Sequence, residues 1–100
     1  PYAEVGRWWY GEEEIDIVGL EPADDRILLA ECKWTTEPVG TELAEQLKSK
    51  AANVRWGPAD RTERFALFSK SGFVDGLADE LSEAWSLIDL ERIESILNSE

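Results

Sequence analysis

A continuous apolar run opens the stretch Arg26-Ile27-Leu28-Leu29-Ala30-Glu31-Cys32-Lys33-Trp34, just after the turn-forming Glu21-Pro22-Ala23-Asp24-Asp25. That pattern predicts a strand buried on both faces in the middle of a sheet. Strand side chains alternate between faces, so Leu29, Glu31 and Lys33 share one face while Leu28, Ala30 and Cys32 share the other. Upstream, Glu14-Ile15-Asp16-Ile17-Val18-Gly19-Leu20 reads as a second strand within hairpin reach, with Glu14, Asp16 and Val18 on one face. Val5 to Tyr10 reads as a first strand, and Gly11-Glu12-Glu13 as the turn that follows it. Trp8 and Trp9 then point to opposite faces, one into the core and one toward an edge or a partner.

The period lengthens beyond Gly40. Thr41 is placed to cap a helix running to about Asn53, with Leu43, Leu47 and Ala51 on one stripe. Gln46 and Lys50 fall on a neighbouring face, either as solvated polar residues or as assistants to a site. Asn53 to Glu63 reads as an irregular loop around Trp56-Gly57-Pro58. Arg64-Phe65-Ala66-Leu67-Phe68 is another buried strand. Ser69-Lys70-Ser71-Gly72 leads to a helix expected from Val74 to Trp85, with Leu77 and Leu81 inward. Its entrance suits either ordinary capping or backbone binding of a phosphate. Ser86 to Asp89 is a short last strand, and Asp89 caps a helix from Leu90 to Asn98. Strands separated by helices imply parallel pairing in the second half, whereas the first three form an antiparallel meander. The fold class expected is α/β, a mixed sheet flanked by helices, in a single domain over 1–100.

The chemistry concentrates at one end of this sheet. Pairing of the second and third strands brings Asp16 beside Glu31 and Lys33. Buried charge is costly unless paired or bound to a metal, so the alternatives are an edge-strand ion pair or a divalent-metal site. Hard cations such as Mg²⁺ use one or two carboxylates and complete their shell with water and substrate phosphate. Glu14, on the face assigned to Asp16, is a candidate auxiliary carboxylate. Trp34 either lines the mouth of the site or closes the core.

An acidic residue on one strand followed by Glu31-Cys32-Lys33 on the next resembles the signature of the PD-(D/E)xK nuclease superfamily. Within it, the chain is most similar to the Mrr-type restriction endonuclease domain and to the related C-terminal domain of certain archaeal P-loop ATPases. The likeness runs through Gly6-Arg7-Trp8-Trp9, Glu14-Ile15-Asp16-Ile17-Val18, Glu31-Cys32-Lys33-Trp34 and Pro38-Val39-Gly40. It continues in Ser69-Lys70-Ser71-Gly72-Phe73 and Leu87-Ile88-Asp89. The resemblance implies a restriction-endonuclease-like fold, with Mg²⁺ or Mn²⁺ held by Asp16, Glu31 and the Cys32 carbonyl. It also implies that Lys33 orients the attacking water, that Gln46 can assist, and that DNA is the substrate. An ATPase domain elsewhere in a longer protein, with this chain as its C-terminal part, is a further implication. The family usually begins with a helix packed on the sheet, whereas this chain opens almost directly into a strand. An uncovered sheet face near Trp8 or Trp9 then predicts a homodimer.

Composition bounds these readings. With 100 residues, of which 43% are hydrophobic, the chain supports one modest core. A single cysteine excludes an internal disulfide and fits a reducing, cytoplasmic setting; Cys32 itself reads as a packing residue. No apolar run reaches the roughly 20 residues of a membrane helix. The absence of histidine excludes Ser-His-Asp and Cys-His nucleophilic sites. A net charge of −12 opposes phosphate binding in general, yet residues 48–70 carry 6 basic and 2 acidic side chains. Arg55, Arg61, Arg64 and Lys70 are therefore the candidate nucleic-acid contacts. Only four lysines on so acidic a chain also resemble proteins of halophilic archaea, where molar salt screens self-repulsion. Two other function classes stand beside the nuclease: a non-catalytic nucleic-acid-binding or regulatory module on an ATPase, and a protein-interaction domain that kept only the fold.

Overall fold

The structure, a computed structural model, describes residues 2–98. Two strands, β2 (Glu13–Glu21) and β3 (Arg26–Lys33), are joined by a 3₁₀ turn over Pro22–Asp24. Pro22 supplies the fixed φ that starts the turn, and Asp25 closes it in the left-handed region at φ 49°. They pair antiparallel from Glu21↔Arg26 to Ile17↔Ala30. β1 (Glu4–Tyr10) lies antiparallel to β2 at one sheet edge. β4 (Thr62–Ser69) and β5 (Trp85–Asp89) add in parallel on the other side, so the sheet order is β1-β2-β3-β4-β5. This is the mixed sheet that alternation predicted, with β3 at its centre.

Helix α1 (Thr41–Ala51) crosses between β3 and β4 and buries Ala44, Leu47 and Ala51. The expected stripe is shifted by one residue at its start, since Leu43 is only half-buried. Opposite α1, the sheet contributes Ile15, Val18, Ile27, Leu29, Phe65 and Leu67, and Val39, Val54 and Leu77 close the cluster. The reverse face is thinner. Ala30 and Ala66 are buried there, and the ring of Tyr2 lies over Gly19 so closely that a Cβ would meet its Cγ at 3.0 Å. Among the described residues no helix is long and apolar enough to cross a membrane.

Three local expectations change. Gly40, not Thr41, takes the N-cap position; the Thr41 hydroxyl donates instead to Glu80 Oε2 at 3.0 Å. The helix expected over 74–85 shrinks to α2 (Leu77–Glu80). Gly76 sits at φ 84° before it and Leu81 turns extended after it. The Trp85 ring stacks on Phe65 at 4.4 Å, so sheet packing claims the residue that the helix would have used. Trp34 is 57% exposed and closes no core. The last helix, α3 (Leu90–Leu97), is capped as expected: Asp89 Oδ1 accepts from the Arg92 N–H at 2.8 Å.

Candidate functional site

The site begins with a break in the alternation of β2. β1 pairs with β2 as Gly6↔Val18 and then Trp8↔Ile15, so two steps on β1 span three on β2. The extra residue lies at Asp16-Ile17, opposite Arg7. Such a bulge turns a strand and re-aims a side chain, and bulges gather beside functional sites. Ile15 and Val18, three residues apart, consequently both enter the core cluster. Glu14 is exposed and opposite in facing to Ile15, so the shared face expected for Glu14, Asp16 and Val18 does not form. Its pairing partner is Trp9 on the edge strand.

The β2–β3 ladder also stops here, at Ile17↔Ala30, while β3 continues through Lys33. In the gap, Asp16 Oδ2 accepts the Cys32 backbone N–H at 2.9 Å, taking the place of a ladder partner. The N–H and C=O of one strand residue point to the same edge, so the Cys32 carbonyl faces this gap as well. Glu31 projects on the α1 side and is 7% exposed. Its Oε1 accepts from Lys50 Nζ at 2.8 Å. Burial pushes the Glu31 carboxyl above its ordinary pKa, and the neighbouring Asp16 carboxylate pushes the same way against the opposing pull of Lys50. Burial, followed by the two carboxylates, likewise raises the Cys32 thiol, so its sulfur stays protonated at neutral pH and the backbone oxygen is the donor it can offer.

Lys33 is exposed and lines an open cleft of about 310 Å³ with Thr35, Glu37, Val39, Glu42 and Gln46. The backbone N–H of Lys70 donates to the Lys33 carbonyl at 3.0 Å, and the Ser71 hydroxyl donates to the Thr35 carbonyl. These bonds tie the ends of β3 and β4 together beneath the cleft. The 69–72 turn thus serves the loop after β3, and no helix starts there to offer free N–H groups to a phosphate.

The candidate basic residues separate. Lys70 is exposed beside Lys33, at the site end of the sheet. Arg64 is exposed at the level of Leu28, toward the other end of β3, and donates to the Glu83 carbonyl at 3.3 Å. Arg55 is exposed in the loop after α1. Arg61 is turned inward: its guanidinium donates to the carbonyls of Ala51, Val54 and Trp56 and pairs with Glu63 at 2.9 Å. That arginine holds the end of α1 to the following loop.

What sequence reasoning missed is the partner of Glu31. The helical period puts Gln46 and Lys50 on one helix face, but they divide, Gln46 to the Lys33 cleft and Lys50 to Glu31. A glutamine and a lysine one turn apart, on the helix that follows Glu-x-Lys, were the available signal. From the same helix end, Asn53 Nδ2 donates to Glu13 Oε1 at 2.8 Å. The end of α1 therefore bridges the two strands where they separate, Lys50 to β3 and Asn53 to β2.

The donor set suits a hard divalent cation. Two carboxylates from adjacent strands repel each other beside a carbonyl oxygen, and the buried one, Glu31, is already met by the Lys50 ammonium group. Among the described residues no group of three or more His, Cys, Asp or Glu side chains is placed to hold a metal ion, so side chains would supply two carboxylates and the backbone and water the rest. An open site with one or two carboxylates is what Mg²⁺ ordinarily uses.

No solved structure matches the chain. An uncharacterized protein of Methanocaldococcus jannaschii, MJECL04, is 42% identical over 33 residues. That match covers 33% of this chain and 8% of the relative's length. Residues 1–53, which carry β1 to β3, the bulge, Asp16, Glu31, Lys33 and all of α1, match a family directly. The chain belongs to DUF234, the family of archaeal and bacterial proteins of unknown function.

Proposed function

We propose that this domain is a metal-dependent nuclease of the PD-(D/E)xK type that hydrolyses phosphodiester bonds, with DNA as its substrate. The observation that carries the reading is the meeting of Asp16 and Glu31 in the gap between β2 and β3, with Lys33 on the next outward position of the same strand face. Asp16, Glu31 and the Cys32 carbonyl would hold Mg²⁺ or Mn²⁺, which supplies Lewis-acid stabilisation of charge on a phosphate oxygen. Lys33, free of the buried pair and facing the cleft, orients the attacking water and offsets charge developing on the phosphate. Gln46 lies across the same cleft and can position the substrate. Lys70 is placed to meet a neighbouring phosphate. The reading includes an intracellular setting, a homodimer, and an ATPase domain in the same full-length protein.

A second reading has a specific observation in its favour. Lys50 already neutralises Glu31, as a retained but non-catalytic site in a nucleic-acid-binding or regulatory module would require. Calorimetry with Mg²⁺ and Mn²⁺, paired with nicking of plasmid and single-stranded DNA, separates the two. The nuclease reading expects metal binding that weakens in Asp16→Ala and Glu31→Ala. In Lys33→Ala, binding is expected to persist while cleavage is lost. Equal binding by wild type and Asp16→Ala removes the site; binding without any cleavage leaves the regulatory module.

A further inference from the structure

We infer that Lys50 is an internal cation that holds the place of the divalent ion and is exchanged for it. The inference rests on the cation-binding reading above and concerns how that site is kept when no ion is bound. Lys50 Nζ lies 2.8 Å from Glu31 Oε1, and the two side chains are only 21% and 9% exposed. Glu31 and Asp16 repel each other in a poorly solvated gap, so without an ion the pair needs a positive charge from the chain itself. Lys50 supplies it. A divalent ion between the same carboxylates would stand next to that ammonium, and like charges at such a distance exclude one another. The two cations are alternatives.

The local structure lets the exchange involve one side chain. Arg61 fastens the carbonyls of Ala51, Val54 and Trp56, and Asn53 fastens Glu13, so the backbone immediately beyond Lys50, at the end of α1, is held in place. Lysine is a point charge on a flexible four-carbon stem, and it makes a single hydrogen bond here, to one carboxylate oxygen. An arginine fork would engage both oxygens and resist replacement. Released from Glu31, the ammonium needs only to swing outward into water.

The test compares wild type, Lys50→Met and Lys50→Arg, with calorimetric titration of Mg²⁺ and thermal melting at increasing Mg²⁺. Lys50→Met keeps the length of the stem and removes the competitor. It is expected to melt lower than wild type without divalent ions, to bind Mg²⁺ about tenfold more tightly or better, and to regain more melting temperature than wild type as Mg²⁺ is added. Lys50→Arg is expected to bind more weakly than wild type. If wild type and Lys50→Met bind equally and gain equally, exchange is overturned while the cation site stands. If neither binds and neither gains, both fall. Should Lys50→Met not fold, the side-chain nitrogen resonance of Lys50 in wild type decides: it must shift as Mg²⁺ is titrated, and an unmoved resonance overturns exchange.

Discussion

Replacing Arg61 by alanine probes the cation with the most hydrogen bonds among the described residues. Its side chain is 9% exposed and makes hydrogen bonds to three backbone carbonyls, at 3.0 Å to Ala51, 2.6 Å to Val54 and 2.7 Å to Trp56. Two more, at 3.2 and 2.9 Å, reach Glu63 Oε2. Hydrogen bonds from charged donors contribute roughly 1.5–3 kcal/mol each, but they are not additive, and water can reach the half-buried Trp56 loop once the guanidinium is gone. Glu63 is 36% exposed and recovers much of its solvation. The three carbonyls dominate, and the net cost comes to about 3 kcal/mol, within the range for breaking a buried charged cluster. In a domain of this size that corresponds to a fall in melting temperature of ~12–24 °C. Urea unfolding followed by tryptophan fluorescence measures it directly, and the midpoint should fall with the slope m unchanged. Arg61→Lys keeps the charge but loses the fork, and should lie between alanine and wild type. A loss below about 1 kcal/mol for Arg61→Ala would refute the claim that this residue pins the end of α1.

Glu31→Gln should show a distinctive pH dependence. Burial and Asp16 hold the Glu31 carboxyl above its ordinary value of 4.5, so over the interval above 4.5 the folded chain keeps a proton that the unfolded chain releases. This group's stabilisation is full below 4.5 and is lost as pH rises through the folded pKa, whereas glutamine has nothing to lose. Denaturation of both proteins from acid to neutral pH should therefore show the variant gaining on wild type as pH rises; a difference that stays flat, or moves the other way, refutes the account. On the proposed nuclease reading, Lys70→Ala should reduce the salt slope of DNA binding by about one ion, because Lys70 stands beside Lys33 at the site. An unchanged slope would place the phosphate path elsewhere. Sedimentation at several concentrations should show a dimer, because the edge strand β1 leaves Trp9 62% and Val5 68% exposed, and a monomer at every concentration would exclude it.

Much of this protein was legible in its order of residues. The apolar run into Glu31 and Lys33, the β-branched residues Ile15, Ile17 and Val18, and Pro22 beside Asp24-Asp25 specify strands and the turn between them, because strand preference and turn chemistry are local properties. The same locality placed Asp16 near Glu31 and Asp89 at the start of α3. Tertiary structure decided the rest. The bulge at Asp16-Ile17 arises only when β2 is matched against β1, so one strand's alternation could not reveal that Glu14 turns away. Gly76 and the stacking of Trp85 on Phe65 cut a predicted helix to a single turn, since packing against a sheet outweighs weak helical propensity. In sequence Arg61 reads as a nucleic-acid contact, and Lys50 as a solvated residue of a helix face or an assistant to the site. Which of them would turn inward, to three carbonyls or to a buried carboxylate, depended on where the end of α1 came to rest. A flexible cation's partner is set by what lies within its reach in three dimensions, and the pattern along the chain does not encode that distance.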